Sequence, residues 1–128
     1  MNALSLLILF KLLITLFFLA APFLFVSAER LGRITSVSAN SPTFFRLYGV
    51  AMLALATAYA GGLWIAWQGI FPWVVVLMGV VSNCGAAMVL GQDWATRRLR
   101  PHALLFGAIG FGFLVSAMFP DAVIIQIF

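Results

Sequence analysis

Residues 4–26 read LSLLILFKLLITLFFLAAPFLFV, a nearly continuous apolar run that is interrupted by Lys11, Thr15 and Pro22. A helix of about 20 apolar residues crosses the roughly 30 Å hydrocarbon core of a bilayer and satisfies its own backbone hydrogen bonds. Three further apolar runs follow at residues 44–67, 70–90 and 102–119, and the last could extend into the tail at 122–128. The sequence therefore predicts an all-α membrane protein, a bundle of four transmembrane helices that forms one domain over residues 1–128.

The composition agrees with this architecture. Only 8% of the 128 residues are charged and 65% are hydrophobic, whereas a typical soluble domain is about 25% charged. So few charged side chains cannot cover the surface of a water-soluble domain, which excludes a cytosolic enzyme and a disordered chain. The single cysteine, Cys84, excludes an internal disulfide and any paired-cysteine redox or zinc site.

The distribution of basic residues predicts how the chain is oriented. Six of the seven lie in or beside the first and third connections, namely Arg30, Arg33, Arg46, Arg97, Arg98 and Arg100. The second connection, marked by Gln68, Gly69 and Pro72, carries none. Because Lys and Arg favour cytoplasmic loops, we expect the first and third connections in the cytoplasm and both termini outside it. The expected location is the cell membrane, with the inner membrane of a bacterium favoured.

A signal peptide is the rival interpretation of the first apolar run. Residues 26–28 read VSA and would serve as a small-residue cleavage site at the end of residues 1–28. However, Lys11 follows ten mostly apolar residues instead of preceding the apolar segment. Cleavage would also leave three spans and divide the six arginines between the two sides of the membrane. The sequence favours a helix that is retained.

Lys11 is the one charged residue predicted well inside a span. A lysine at the centre of a bilayer costs a few kcal/mol, and less where its stem reaches the interface. The side chain could snorkel to the outer headgroups, or it could form an intramembrane ion pair with Asp121. The first interpretation is favoured, because no second intramembrane carboxylate is present to build a proton relay.

Small and polar residues recur at helical spacing in three of the predicted spans. These stripes are Ala54, Ala58, Gly62 and Ala66 in the second span, Gly79, Asn83, Ala87 and Gly91 in the third, and Ala108, Gly112 and Ser116 in the fourth. Such stripes let membrane helices approach closely, and polar side chains then bond between helices. The predicted packing and polar-contact residues are Asn83, Gly79, Ala87, Ala58, Gly62 and Tyr59. Alternatively, Asn83, Tyr59 and Cys84 line a small pocket for a lipid or quinone headgroup.

The densest basic cluster is Arg97, Arg98 and Arg100. These residues are predicted to contact anionic lipid headgroups or an acidic partner, at about 1 kcal/mol for each basic residue near the surface, although their role in orientation alone would explain them. No metalloprotease, phosphate-loop, nucleophile-elbow or dinucleotide motif is present in the sequence. We therefore expect no catalytic, cofactor or metal site.

The segment Phe45-Arg46-Leu47-Tyr48-Gly49, followed by an alanine-rich span, resembles the start of the second helix in small bacterial four-helix membrane proteins of the DoxX-like group. This resemblance implies a four-helix bundle and little specific biochemistry. The sequence lacks the CxxC motif that would relate it to membrane thiol–quinone enzymes. The resemblance therefore assigns no functional residues.

These features predict a non-enzymatic accessory or structural subunit that docks onto other membrane helices. Its partner would be another membrane protein or further copies of the same chain, within the lipid bilayer. The alternatives are a small oligomeric transporter or channel and a lipid- or quinone-binding membrane protein. Nucleic-acid binding is not expected, because the basic residues cluster in two connections and do not follow one exposed face.

Overall fold

A computed structural model describes residues 2–35, 42–92 and 100–125, and these are almost entirely helical. In chain order the helices are α1 (Ala3–Ile14), a π-helical segment (Thr15–Ala20), α2 (Ala21–Phe25), α3 (Ala28–Thr35), α4 (Pro42–Trp67), α5 (Trp73–Gln92), α6 (Arg100–Met118) and α7 (Pro120–Ile124). By length and composition, four helical stretches are able to cross a membrane: Ala3–Phe25, Pro42–Trp67, Trp73–Gln92 and Arg100–Met118. The predicted all-α class with four membrane-length helices is confirmed.

The chain divides into two compact parts. One part comprises Met1–Ile8 and Gly62–Phe128, and the other comprises Leu9–Gly61. The first membrane-length helix and α4 each contribute residues to both parts. Whether the two parts form the single domain predicted from the sequence is not tested by this division, so the single domain stays a prediction.

The first membrane-length helix changes its winding in the middle. The backbone N–H of Ala21 bonds the carbonyl of Leu16, five residues earlier, so the segment before Pro22 is π-helical. In a regular α-helix a proline ring clashes with the carbonyl four residues earlier and lacks the N–H to bond it. The wider π-turn separates these groups and lets the helix continue to Phe25, after which Val26 is extended with ψ 147°.

The turn between α4 and α5 is formed by a glycine-based helix cap. Gly69 has a φ of 76°, in the left-handed region that favours glycine. The N–H of Ile70 bonds the carbonyl of Ile65 at 3.3 Å, and the N–H of Gly69 bonds that of Ala66 at 3.1 Å. These two bonds define a Schellman cap, which satisfies carbonyls at the end of α4. The turn lies where Gln68, Gly69 and Pro72 predict it.

The first connection contains a helix, α3, that was not predicted from the sequence. The Ser27 carbonyl accepts the Leu31 N–H at 3.0 Å, which sets the start of this eight-residue helix. Glu29 lies in its first turn and Arg33 in its last, the charge arrangement that suits the helix dipole. The segment is too short for a periodic pattern to identify it from the sequence alone.

The end of the fourth span also differs from one expectation. The helix α6 ends at Met118, and Phe119 breaks the helical conformation with φ −128° and ψ 59°. The short helix α7 then runs only to Ile124, with Pro120 in its first turn. The fourth span therefore does not continue through the apolar tail as one helix, and residues 126–128 lie outside the described part of the chain.

Candidate helix-docking surfaces

The helices α5 and α6 pack closely through glycines. A Cβ placed on Gly79 would lie 2.7 Å from Cδ2 of Phe113, whose ring is fully buried. A Cβ on Gly110 would lie 2.7 Å from Sγ of Cys84 and 3.1 Å from its backbone nitrogen. Real Cβ atoms essentially never lie within 3.0 Å of other heavy atoms, so the two helices approach each other this closely because these positions lack a side chain.

The helix α6 faces α5 through two glycines that are not part of the small-residue stripe named from the sequence. Gly107 and Gly110 face α5, with a Cβ on Gly107 placed 3.8 Å from Cβ of Ala87. In the stripe proposed from the sequence, Gly112 instead faces Leu7 of α1, Ala108 is exposed, and the Ser116 hydroxyl bonds the Gly112 carbonyl at 2.8 Å. The face with Gly107 and Gly110 and the face with Ala108 and Gly112 both carry small residues. Residue size alone therefore does not indicate which face of α6 packs on α5.

The small-residue stripe of α4 is packed at one end and open at the other. A Cβ on Gly62 would lie 2.6 Å from Cγ1 of Val75, and Ala66 is fully buried. Further towards the start of the helix, Ala58 is half-buried and Ala54 is exposed. The stripe predicted from the sequence therefore serves packing within the chain only over its last turns.

Asn83 is fully buried in the middle of α5. Its Nδ2 donates to the Gly79 carbonyl at 2.7 Å and to the Ser82 hydroxyl at 3.3 Å. These two bonds lie within its own helix, and the bonds between helices that the sequence predicts for Asn83 stay a prediction. Tyr59 is fully buried and Cys84 is half-buried. Tyr59 and Asn83 belong to different compact parts, and a shared pocket stays a prediction.

Lys11 is enclosed by protein. Only 2% of its surface is exposed, which is not what snorkelling along a lipid-facing surface predicts. Thr15 lies four residues later on the same helix face and is fully buried, and its hydroxyl has no hydrogen-bond partner among the described residues. Asp121 is exposed in the first turn of α7. The ion pair between Lys11 and Asp121 stays a prediction.

Asn2 makes a contact that the sequence analysis missed. Its Oδ1 accepts the backbone N–H and the hydroxyl of Ser5, both at 2.7 Å, which caps the start of α1. Its Nδ2 donates to the Ala66 carbonyl at 2.9 Å. An asparagine directly before an apolar run is a recognisable cap signal, whereas the second bond depends on tertiary structure. Asn2 thus joins the start of the first membrane-length helix to the end of α4.

The segment at residues 45–49 packs against the end of the first membrane-length helix. The rings of Phe45 and Tyr48 lie 5.9 and 4.7 Å from that of Phe23, measured between centroids. Nη1 of Arg46 donates to the Phe23 carbonyl at 3.0 Å. A helix leaves its last four carbonyls without intrahelical donors, and the positive guanidinium also suits the helix C-terminus. Arg46 is therefore a capping residue as well as a candidate determinant of orientation.

Gly49 completes this contact. A Cβ at this position would lie 2.9 Å from Cγ of Leu24 and 3.1 Å from its backbone nitrogen. Four of the five residues quoted for the DoxX-like resemblance therefore contact the last turn of the first membrane-length helix. The segment has a structural role in joining two helices.

The candidate lipid-contacting arginines are only partly described. Arg100 is half-buried at the start of α6, and Arg97 and Arg98 lie outside the described residues. Arg30 and Arg33 are exposed on α3. In the described ranges no group of three His, Cys, Asp or Glu side chains is placed to hold a metal ion.

One face of α4 remains open. Ala54, Thr57 and Gly61 lie at intervals of three and four residues and are all exposed. Apart from Gly61 itself, its two chain neighbours and the backbone of its own helix, no described atom lies within 4 Å of the position that a Cβ on Gly61 would occupy. The Thr57 hydroxyl donates to the Ala54 carbonyl at 2.7 Å, so this polar group is satisfied by its own helix. Val50 and Leu53 are exposed beside these small residues. We call this surface the open face of α4.

No family model matches the chain, and neither does any curated protein or solved structure. The resemblance of residues 45–49 to the DoxX-like group therefore stays a prediction.

Proposed function

We propose that this multi-pass membrane protein is a non-enzymatic accessory subunit that docks onto another membrane helix through the open face of α4. The observation that carries the proposal is the free space above Gly61. Gly62, Gly79 and Gly110 have no room for a side chain, because neighbouring residues of the chain approach them closely. Gly61 has no such neighbour among the described residues, and it is exposed.

The energetics favour a helix as the occupant of this face. A glycine in a helix interior costs about 1 kcal/mol relative to alanine, and Gly61 has no described contact that offsets this cost. Lipid tails are as apolar as the side chains, so no hydrophobic effect drives membrane helices together. They associate by close packing at small residues instead. The flanking Val50 and Leu53 would then contact the sides of an approaching helix.

The test is a pair of matched substitutions followed by purification in a mild detergent from the native membrane. Gly61→Leu fills the open face, whereas Val81→Leu adds bulk at a position on α5 that is 74% exposed. We expect Gly61→Leu to lose a stoichiometric partner, or a second copy of the chain, that wild type and Val81→Leu retain. The same partner yield after combining Ala54→Leu with Gly61→Leu, or no stoichiometric partner for wild type, would contradict the proposal.

We further propose that the first and third connections face the cytoplasm of a bacterial cell. The support is the absence of basic residues between α4 and α5, together with the six arginines that lie in or beside the other two connections. Single cysteines at Ser36 and Thr96 should resist a thiol reagent that cannot cross the membrane of intact cells, and one at Gln68 should react. Modification at Ser36 or Thr96 would overturn this orientation.

A small oligomeric transporter is a second candidate, favoured by the burial of Lys11. Ionisable groups inside membrane helices mark ion or substrate pathways by default, and π-helical turns such as the one that begins at Thr15 are frequent at functional sites. Transport of protons would appear as acidification of vesicles that contain a trapped pH-sensitive dye. Lys11→Met should abolish this signal in a chain that still folds, and an unchanged signal would exclude Lys11 from the pathway.

A further inference from the structure

The helix α3 has one charged face and one buried face. Glu29, Arg30 and Arg33 are all exposed, whereas Leu31 is only 2% exposed. The hydroxyl of Thr35 bonds the Leu31 carbonyl at 2.8 Å, which completes the last turn. The basic residues are thus held by a regular helix on the side facing away from the rest of the chain.

Its place in the sequence confines α3 to the membrane surface. Only Val26 and Ser27 separate it from Phe25, the last residue of the first membrane-length helix. Three Cα steps span at most about 11 Å, and the polar layer on each side of a bilayer is about 5–8 Å deep. The helix therefore begins in or directly beside the headgroup layer. Its eight residues extend about 12 Å. The next membrane-length helix, α4, begins at Pro42, so α3 connects two helix ends that lie on the same side of the membrane.

We propose that α3 is an interfacial helix whose Arg30 and Arg33 bind the phosphate groups of anionic phospholipids. A guanidinium presents parallel N–H donors that fit a phosphate. The two arginines outnumber Glu29 on the exposed face, so the face carries a net positive charge. Arg46 is already engaged with the Phe23 carbonyl. This inference is independent of the docking proposal and requires only that the first two membrane-length helices cross the bilayer.

The experiment measures lipid preference beside α3 in the full chain. A fluorescent bimane is attached at Phe25→Cys in a Cys84→Ser background, because Phe25 is 82% exposed and its replacement removes little packing. The protein is reconstituted into phosphatidylcholine vesicles, and quenching is compared between phosphatidylglycerol and phosphatidylcholine that carry the same acyl-chain spin label. The ratio of quenching by spin-labelled phosphatidylglycerol to quenching by spin-labelled phosphatidylcholine gives the local preference for the anionic lipid.

Wild type should prefer phosphatidylglycerol, and the preference should weaken with added salt. Replacing both arginines with Arg30→Gln and Arg33→Gln should lower the preference by about fivefold for each arginine at low ionic strength. Glu29→Gln should raise it. The matched control, Arg97→Gln with Arg98→Gln, removes the same charge from the third connection and should lower the preference at residue 25 by less than the α3 double variant does.

Two results would overturn the proposal. One is equal quenching by the two lipids in wild type, and the other is an unchanged preference after both α3 arginines are replaced. No protein partner is present in pure lipid vesicles. Either result would therefore indicate that Arg30 and Arg33 bind an acidic protein surface instead of lipid. Circular dichroism and gel filtration of each variant would verify that the loss of these exposed side chains leaves the fold intact.

Discussion

The close contact between α5 and α6 leads to a quantitative prediction for Gly110→Ala. The added methyl would lie 2.7 Å from Sγ of Cys84 and 3.1 Å from a backbone nitrogen that cannot move without the helix. Adding a methylene-sized group to a packed interior costs about 1–3 kcal/mol. Alanine also improves helix propensity over glycine by about 1 kcal/mol, and this gain must be separated from the steric cost.

Gly85→Ala provides the matched control. Gly85 lies in α5, and apart from its two chain neighbours and the backbone of its own helix no described atom is within 4 Å of the position that an added Cβ would occupy. This variant therefore reports helix propensity alone. We expect Gly110→Ala to be less stable than Gly85→Ala by about 1–3 kcal/mol, the steric cost by itself. The free energy of unfolding would be measured by titrating the purified protein in mild-detergent micelles with sodium dodecyl sulfate.

A double-mutant cycle identifies the cause of the loss. Cys84→Ala removes the sulfur that the new methyl would meet, so Gly110→Ala should cost less in that background, with a coupling of about 1 kcal/mol. Equal unfolding free energies for Gly110→Ala and Gly85→Ala would refute the close approach of α5 and α6. A loss that Cys84→Ala leaves unchanged would show that the sulfur is not the obstacle.

Three further substitutions test the helix ends by the same unfolding titration. Asn2→Ala removes both the cap of α1 and the bond to the Ala66 carbonyl, and should cost about 1–2 kcal/mol; a stability equal to wild type would mean that Asn2 does not cap the helix. Arg46→Gln removes a charged donor from the Phe23 carbonyl and should cost about 1.5–3 kcal/mol. An equal loss in Arg46→Lys, which keeps the positive charge, would show that the geometry of the guanidinium donors matters and not the charge. Gly69→Ala should cost about 1–2 kcal/mol because of its positive φ alone, and Gly69→Asn should cost less; equal losses would contradict that explanation.

The four membrane-length helices were predictable, because the apolar content of a window of about 20 residues is itself the physical requirement for crossing a bilayer. Helix bounds agree with the predicted spans to within three residues. The turn at Gly69 was predictable too, since a glycine after a long apolar run followed by Pro72 is a common way to end one helix and begin another.

The packing faces were harder to predict. In a membrane, both lipid and protein contact apolar side chains, so hydropathy carries little information on which face is buried. Gly107 and Gly110 face α5, although Ala108 and Gly112 belong to an equally small stripe. The bonds of Asn2 and Arg46 join residues far apart in the chain, and no local pattern indicates the second partner.

The bond from Arg46 to the Phe23 carbonyl has a consequence for the order of assembly during translation. The two groups are separated by 23 residues, so the acceptor is synthesised well before its donor exists. A nascent chain that stops short of residue 46 must leave that carbonyl to water or to lipid headgroups. The C-terminal end of the first membrane-length helix is therefore fully hydrogen-bonded only after the start of α4 has been synthesised. The two helices thus complete this contact together, as a helical hairpin.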